Sequence, residues 1–199
     1  MKIAQDDEGR EAVLELMEQA EVMVHHSMRE NGAITPTLLI HGVNGNGMYC
    51  PDEMAGADSK DRFVDKARLI CVAEGADATV FISEAWLRTV KEDAKPLDLS
   101  IPPSQAPDRV EIVMVMGETR EAHFQKLLPI LRTGEGKFMG FGEIRELGEA
   151  EKVEGRFANF VPPRAPDEKT RMLAKEALYA IGFTTVEKKK QQGRGRAIY

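Results

Sequence analysis

Apolar residues recur at helical spacing in three segments of the chain. A stripe of them between about residues 7 and 31 predicts a long first helix that stops at Asn31-Gly32. A second helix is predicted over 59–74, with Ser59 as its cap, and a third over 167–182, with Asp167 as its cap. The side chains of the third helix that are predicted to face the core are those of Leu173, Ala177, Leu178 and Ile181.

Short runs rich in β-branched and aromatic residues lie between these helices. Within the runs 79–87 and 110–116, residues 80–82 and 112–116 are apolar at every position, which is typical of central strands covered on both faces. Segments 36–41 and 48–50, joined by a glycine-rich turn, predict one hairpin, and 123–132 with 137–144 predicts another. Pro129 cannot donate to a strand ladder, so its strand is predicted to be an edge strand or a bulged one.

The order of these elements predicts the fold class. Helix, hairpin, helix, four strands and helix indicate an α+β fold: a mainly antiparallel sheet of about five to six strands with three helices packed on it. A chain of 199 residues is long enough to bury one core by itself. We therefore expect a single domain over 1–187, followed by a basic C-terminal tail over 188–199.

Charge is distributed unevenly along the chain. Of the 27 basic residues, five lie in the last twelve positions, which hold no acidic residue; the other 22 stand against 33 acidic residues, a balance of −11. Such a body repels phosphate backbones, so nucleic-acid binding is an alternative function that would depend on the tail alone. No aromatic residue is interleaved before Tyr199 to stack on bases. The basic residues of the tail are Lys188, Lys189, Lys190, Arg194 and Arg196.

Cys50 and His41 form the candidate pair for nucleophilic catalysis. If Gly45-Asn46 makes a two-residue turn, His41 lies opposite Cys50 at a distance suited to a thiolate and its base, and Asp52 would orient the imidazole. A turn one residue earlier is equally compatible and separates the two side chains. No family-specific catalytic signature surrounds Cys50. A cysteine/histidine-dependent hydrolase or transferase is thus a second alternative.

Other common chemistries leave no pattern in this sequence. It has two cysteines, no CxxC or HxxxH spacing, and no GKS or GKT after its glycine-rich turn, so we expect no metal and no cofactor. The first residues are acidic, and no apolar run approaches the roughly 18 residues of a membrane span. We expect a soluble cytoplasmic protein without membrane contact.

Six side chains at the ends of the two central strands are spaced as one group. By alternation, Glu84 lies on the same side as Ile82, an unusual place for a carboxylate. Paired with Arg109, it would form an ion pair that holds the intervening loop closed, or the group would line a cleft for a small polar ligand. The group consists of Glu84, Trp86, Ser104, Asp108, Arg109 and Glu111.

Two short motifs contain this group. Residues 83–86 read Ser-Glu-Ala-Trp at the end of an apolar strand, and residues 103–111 read Pro-Ser-x-x-Pro-Asp-Arg-x-Glu before the next strand. In this pattern the segment 38–132 resembles a group of uncharacterised small bacterial and phage proteins. The resemblance implies that the six residues form one constellation, and it implies no activity.

We therefore expect a non-enzymatic binding or assembly component of a bacterial or phage-derived system. Its partner would be a second copy of the chain or another protein. The methionine-rich strand 110–116 and the hairpin 136–144 would supply the apolar partner surface.

Overall fold

The computed structural model describes residues 2–51, 54–88, 100–150, 153 and 155–183. Within these residues the chain forms three α-helices, seven strands and one short 3₁₀ helix. In chain order they are α1 (Lys2–Asn31), β1 (Thr37–Gly42), β2 (Gly45–Tyr49), α2 (Ala57–Glu74), β3 (Ala78–Leu87), the 3₁₀ helix (Pro103–Gln105), β4 (Val110–Thr119), β5 (His123–Arg132), β6 (Phe138–Phe141), β7 (Arg145–Ala150) and α3 (Glu168–Ala180).

The strands form one antiparallel sheet. Its order is β2-β1-β3-β4-β5, and the outer edge of β5 is shared by β6 and β7. The α+β class and the mainly antiparallel sheet are confirmed. The sheet has one strand more than predicted, because β7 is exposed at every position and thus lacks the apolar alternation that signals a strand.

Helices cover both faces of the sheet and bury a separate apolar cluster on each side. On one face, α1 packs Leu16, Val24 and Met28 against β3, β4 and β5. On the other, α2 and α3 pack against β1 and Phe81 of β3. Val80 therefore faces α1 while Phe81 faces α2, which accounts for the unbroken apolar runs predicted to be central strands.

Two helix ends agree with the sequence and one differs. The side chain of Asp167 caps α3 by accepting a 2.8 Å hydrogen bond from Thr170 N, and α1 ends at Asn31 before Gly32. Ser59, predicted as the cap of α2, instead lies in its first turn. There its hydroxyl accepts a 2.9 Å bond from the backbone N–H of Gly56, the residue that precedes the helix.

The set of buried residues in α3 differs from the predicted set. Leu178 and its neighbour Ala174 are its buried residues, whereas Leu173 is 56% exposed and Ile181 and Ala177 are also exposed. The reason is that α3 packs mainly on α2 rather than flat on the sheet, so only a narrow line of side chains is covered.

The prediction from Pro129 that β5 is an edge strand or a bulged one is wrong, because β5 is paired along both edges and the extra residues at its two register shifts lie in β6 and β7. The register of β5 shifts between Phe124 and Lys126 against β7 and between Leu131 and Arg132 against β6. Pro129 lies between these two pairings, where its carbonyl accepts a 2.8 Å bond from Gly142 N. Its missing N–H therefore falls where the neighbouring strand changes and removes no ladder bond.

Candidate functional site

The β1–β2 hairpin does not bring His41 and Cys50 together. Gly42 pairs with Gly45, so the turn is formed by residues 43–44 and His41 lies opposite Asn46. Both turns considered from the sequence are therefore wrong. His41 lies near the turn of the hairpin, whereas Cys50 follows Tyr49 at the opposite, open end.

A close contact with α2 fixes where this turn begins. A Cβ atom on Gly42 would lie 2.5 Å from the backbone oxygen of Glu74, so only glycine fits there. The next residue, Val43, donates its N–H to the same oxygen at 3.0 Å. The C-terminal end of α2 thus fixes the positions of Gly42 and Val43, and these contacts set the register of the hairpin.

The two catalytic candidates have separate partners. His41 Nδ1 lies 2.6 Å from Asp77 Oδ1, whereas the Cys50 sulfur lies 3.5 Å from Thr37 Oγ1. Thr37 and His41 are four residues apart in one strand, a separation of roughly 13 Å. A thiol cannot exchange a proton with an imidazole over that distance. Asp52, the third candidate, lies outside the described residues.

The residues of the constellation around Trp86 make several separate contacts, and their pairings differ from the predicted one. The Arg109 guanidinium lies 4.5 Å from the centroid of the Trp86 ring and donates to the carbonyl of Ser104. Asp108 forms an ion pair of 3.0 Å with Arg88. The predicted pair of Glu84 with Arg109 is wrong, because Glu84 Oε1 instead accepts a 2.6 Å bond from Ile34 N in the α1–β1 connection.

Arg132, at the end of β5, completes the constellation and was missed by the sequence reasoning. Its Nε and Nη2 atoms each donate to a different oxygen of Glu111 at 2.7 Å, and its Nη1 donates to Gly32 O at 3.0 Å. The bidentate bond to Glu111 raises the pKa of Arg132. The only signal in the sequence is that an arginine ends the predicted strand 123–132.

The network ties three parts of the fold together. Glu84 and Arg132 bind the connection after α1, Asp108 with Arg88 binds the start of β4 to the end of β3, and Glu111 links β4 to β5. Its carboxylates are all engaged, by arginines or by a backbone N–H. We therefore interpret the constellation as a structural device rather than as an acid–base centre.

Arg132→Ala tests this structural interpretation. We expect the free energy of unfolding to fall by about 1–3 kcal/mol, because the half-buried Glu111 carboxylate and the Gly32 carbonyl lose their donors. Chemical denaturation followed by circular dichroism measures the change. The exposed Arg62→Ala is the control and should shift stability by no more than about 0.5 kcal/mol. Equal effects of the two substitutions would contradict the interpretation.

A second buried carboxylate anchors the segment before α3. Glu118 accepts hydrogen bonds from Phe160 N at 3.1 Å and Val161 N at 3.0 Å, and burial raises its pKa. Arg68 of α2 donates to the carbonyls of Ala158 and Asn159 in the same segment. These bonds place Phe160 against the aromatic rings of the α2-side cluster.

A groove lies between α1 and β6, on the α1 side of the sheet. Its volume is about 350 Å³. It belongs to the hairpin that the sequence predicted as a partner surface. The residues that line it are His25, Arg29, Phe138, Met139, Gly140 and Phe141.

A β-bulge shapes the aromatic wall of this groove. Leu131 pairs with Gly140 and Arg132 pairs with Phe138, so Met139 is an extra residue in β6. Phe138 and Phe141 would face opposite sides in a regular strand, but here their ring centroids are 5.0 Å apart. Met139 is 68% exposed at the rim.

The polar side chains in the groove are basic. His25 and Arg29 lie one helical turn apart on α1, and among the described residues no carboxylate lines the groove. The His25 ring packs edge-on against Phe141, with centroids 5.0 Å apart. Arg29 has no ion pair within the described part of the chain. In a chain of net charge −6, this groove is a local basic site.

The remaining predictions concern metal binding, membrane contact and the basic C-terminal tail. No three His, Cys, Asp or Glu side chains are clustered as metal ligands in the ranges that the structure describes, and no helix there is long and apolar enough to cross a membrane. The basic tail lies outside the described residues, so nucleic-acid binding stays a prediction. Its residues are Lys188, Lys189, Lys190, Arg194 and Arg196.

We compared the chain with models of known protein families, with curated proteins and with solved structures, and none of the three comparisons gave a match.

Proposed function

We propose that the protein is a non-enzymatic binding or assembly component of a bacterial or phage-derived system, acting in the cytoplasm, and that it holds an extended segment of a partner protein in the groove between α1 and β6. The observation that carries the proposal is the groove itself. The bacterial or phage origin is supported by the motifs at 83–86 and 103–111.

The position of β6 favours a protein partner. It is the last strand on its path through the sheet, and in the described residues it pairs with β5 alone. An unpaired strand edge offers N–H and C=O groups to an added strand. The exposed Met139 and the rings of Phe138 and Phe141 offer apolar contacts beside that edge. An extended segment would use both kinds of contact at once.

The geometry of the candidate catalytic residues also favours binding. His41 is bonded to Asp77 and lies far along the hairpin from Cys50. The carboxylates of the Trp86 constellation are engaged in structural bonds. By contrast, the groove keeps a guanidinium and an apolar wall open for a ligand.

A displayed library of random dodecamer peptides tests the proposal. We expect the wild-type protein to enrich peptides whose affinity falls at least about tenfold with Met139→Lys, because a charge then replaces an apolar contact at the rim. Met172→Lys is the matched control: Met172 is 52% exposed on α3, and its substitution should leave binding unchanged. Fluorescence anisotropy of the synthesised peptides gives the affinities.

Two outcomes would overturn the proposal. One is that no peptide is enriched on the wild-type protein. The other is that the enriched peptides bind Met139→Lys as tightly as they bind Met172→Lys, which would place their site elsewhere.

A further inference from the structure

Resting on the proposed function, we propose that the groove selects an acidic segment: an extended chain that sets a carboxylate against Arg29 and an apolar side chain against Phe138 and Phe141. The partner would thus carry Asp or Glu next to apolar residues at alternating positions. The proposal adds the chemistry of the partner to the position of its binding site.

Charge complementarity is the first argument. Arg29 is exposed and unpaired within the described ranges, and the only other polar side chain in the groove is that of His25. A guanidinium presents its N–H groups in a planar fork that matches both oxygens of a carboxylate. The chain as a whole carries a net charge of −6, which repels an acidic segment at a distance, so a local basic groove is needed to hold one.

Spacing is the second argument. His25 and Arg29 are four residues apart on a helix, which separates them by about 6 Å along its axis. Alternate side chains of an extended segment are separated by about 6.6 Å and point the same way. Two successive inward-facing side chains can therefore meet the two positions together.

The aromatic wall assigns a different role to each position. The His25 ring is held edge-on against Phe141, and Phe138 packs on Phe141 in turn. This end of the groove is therefore apolar in character and suits an apolar side chain. In the described part of the chain Arg29 packs on no aromatic ring, and it takes the carboxylate. The groove thereby recognises one segment at two positions, by shape at the aromatic rings and by charge at Arg29.

Two displayed libraries separate this inference from the proposed function. One is a random dodecamer library of all residues, and the other is the same library without Asp and Glu. We expect groove-dependent peptides, recognised by their loss of affinity for Met139→Lys, only from the first library. Equally tight groove-dependent peptides from the acid-free library would overturn the acidic selection and leave the proposed function standing. No groove-dependent peptide from either library would overturn both.

Charge reversal at Arg29 provides the second test. We expect Arg29→Glu to weaken the peptides selected from the complete library by at least about tenfold, and a peptide with its acid replaced by lysine to regain affinity for that variant. Lys175→Glu makes the same charge change on α3 and should have no effect. Unchanged affinity for Arg29→Glu would overturn the assignment of the carboxylate to Arg29.

Discussion

Replacing Glu118 by alanine is expected to lower the free energy of unfolding by about 2–5 kcal/mol. The carboxylate accepts bonds from Phe160 N and Val161 N, and its removal leaves both N–H groups buried without an acceptor. An unsatisfied buried donor costs about 1–3 kcal/mol. Because the same bonds hold Phe160 in place, we also expect the segment before α3 to loosen.

Urea denaturation measures the loss for Glu118→Ala, and amide hydrogen exchange at residues 158–161 locates it. Glu121→Ala is the control, since Glu121 is exposed and makes no side-chain bond to this segment. The anchoring role would be contradicted if the two variants were equally stable, or if exchange at 158–161 were the same in both.

The pH dependence of stability gives a signed prediction for the same residue. Burial raises the pKa of Glu118 in the folded protein, so the folded state binds its proton more tightly than the unfolded state does. Its titration thus favours folding at low pH, and this contribution is lost as the pH rises through the folded pKa. Glu118→Gln removes the titration, so the stability of the wild type relative to this variant should fall as the pH rises above about 4.5.

The second large effect is expected from Phe81→Ala, which should cost about 3–5 kcal/mol. Phe81 is fully buried in β3, and its ring contacts those of Phe63, Phe157 and Phe160, with centroids 5.4, 4.9 and 5.8 Å away. Its removal leaves a cavity between the sheet, α2 and the segment before α3.

Thermal and chemical unfolding measure the Phe81→Ala effect. Tyr179→Ala, which removes an exposed aromatic ring from α3, should change stability by no more than about 0.5 kcal/mol. If Phe81→Ala fails to fold, Phe81→Leu keeps much of the volume and should show a smaller loss in the same direction. A loss below 1 kcal/mol for Phe81→Ala would contradict the central place of this ring in the core.

Elements set by neighbouring residues were predictable from the sequence. The cap at Asp167 and the stop at Asn31-Gly32 depend on residues a few positions away, and the structure keeps both. The apolar runs at 79–87 and 110–116 carry their own evidence for burial on two faces. The α+β class follows from the order of these elements.

Features set by distant residues were not predictable. The hairpin register depends on the contact of Gly42 with Glu74, which no local pattern shows. The bidentate bond between Glu111 and Arg132 joins two strands, and the order of polar residues along the chain pointed to Arg109 instead. For α3, the apolar spacing was real, but how much of it is covered depends on the position of α2.

The groove depends both on local sequence patterns and on contacts between distant residues. Its hairpin was predictable, and the exposed apolar character of the 136–144 segment was expected. The bulge at Met139 that turns Phe138 and Phe141 to one side appears only when β6 is paired with β5. His25 and Arg29 lie more than a hundred positions earlier in the chain, so only the packing of α1 brings them to this wall.

The division of the β5 edge between two strands has a consequence for aggregation. A ten-residue outer strand with a continuous open edge would be a template on which identical molecules stack into fibrils. Here the edge of β5 is covered by two short strands, β6 and β7, and each of them pairs with a register shift. The strand β7 also carries charged, exposed side chains. On this side of the described sheet the open edges are those of β6 and β7, which are only four and six residues long. The protein can thus keep a receptive edge at β6 without exposing a strand long enough to propagate a fibril.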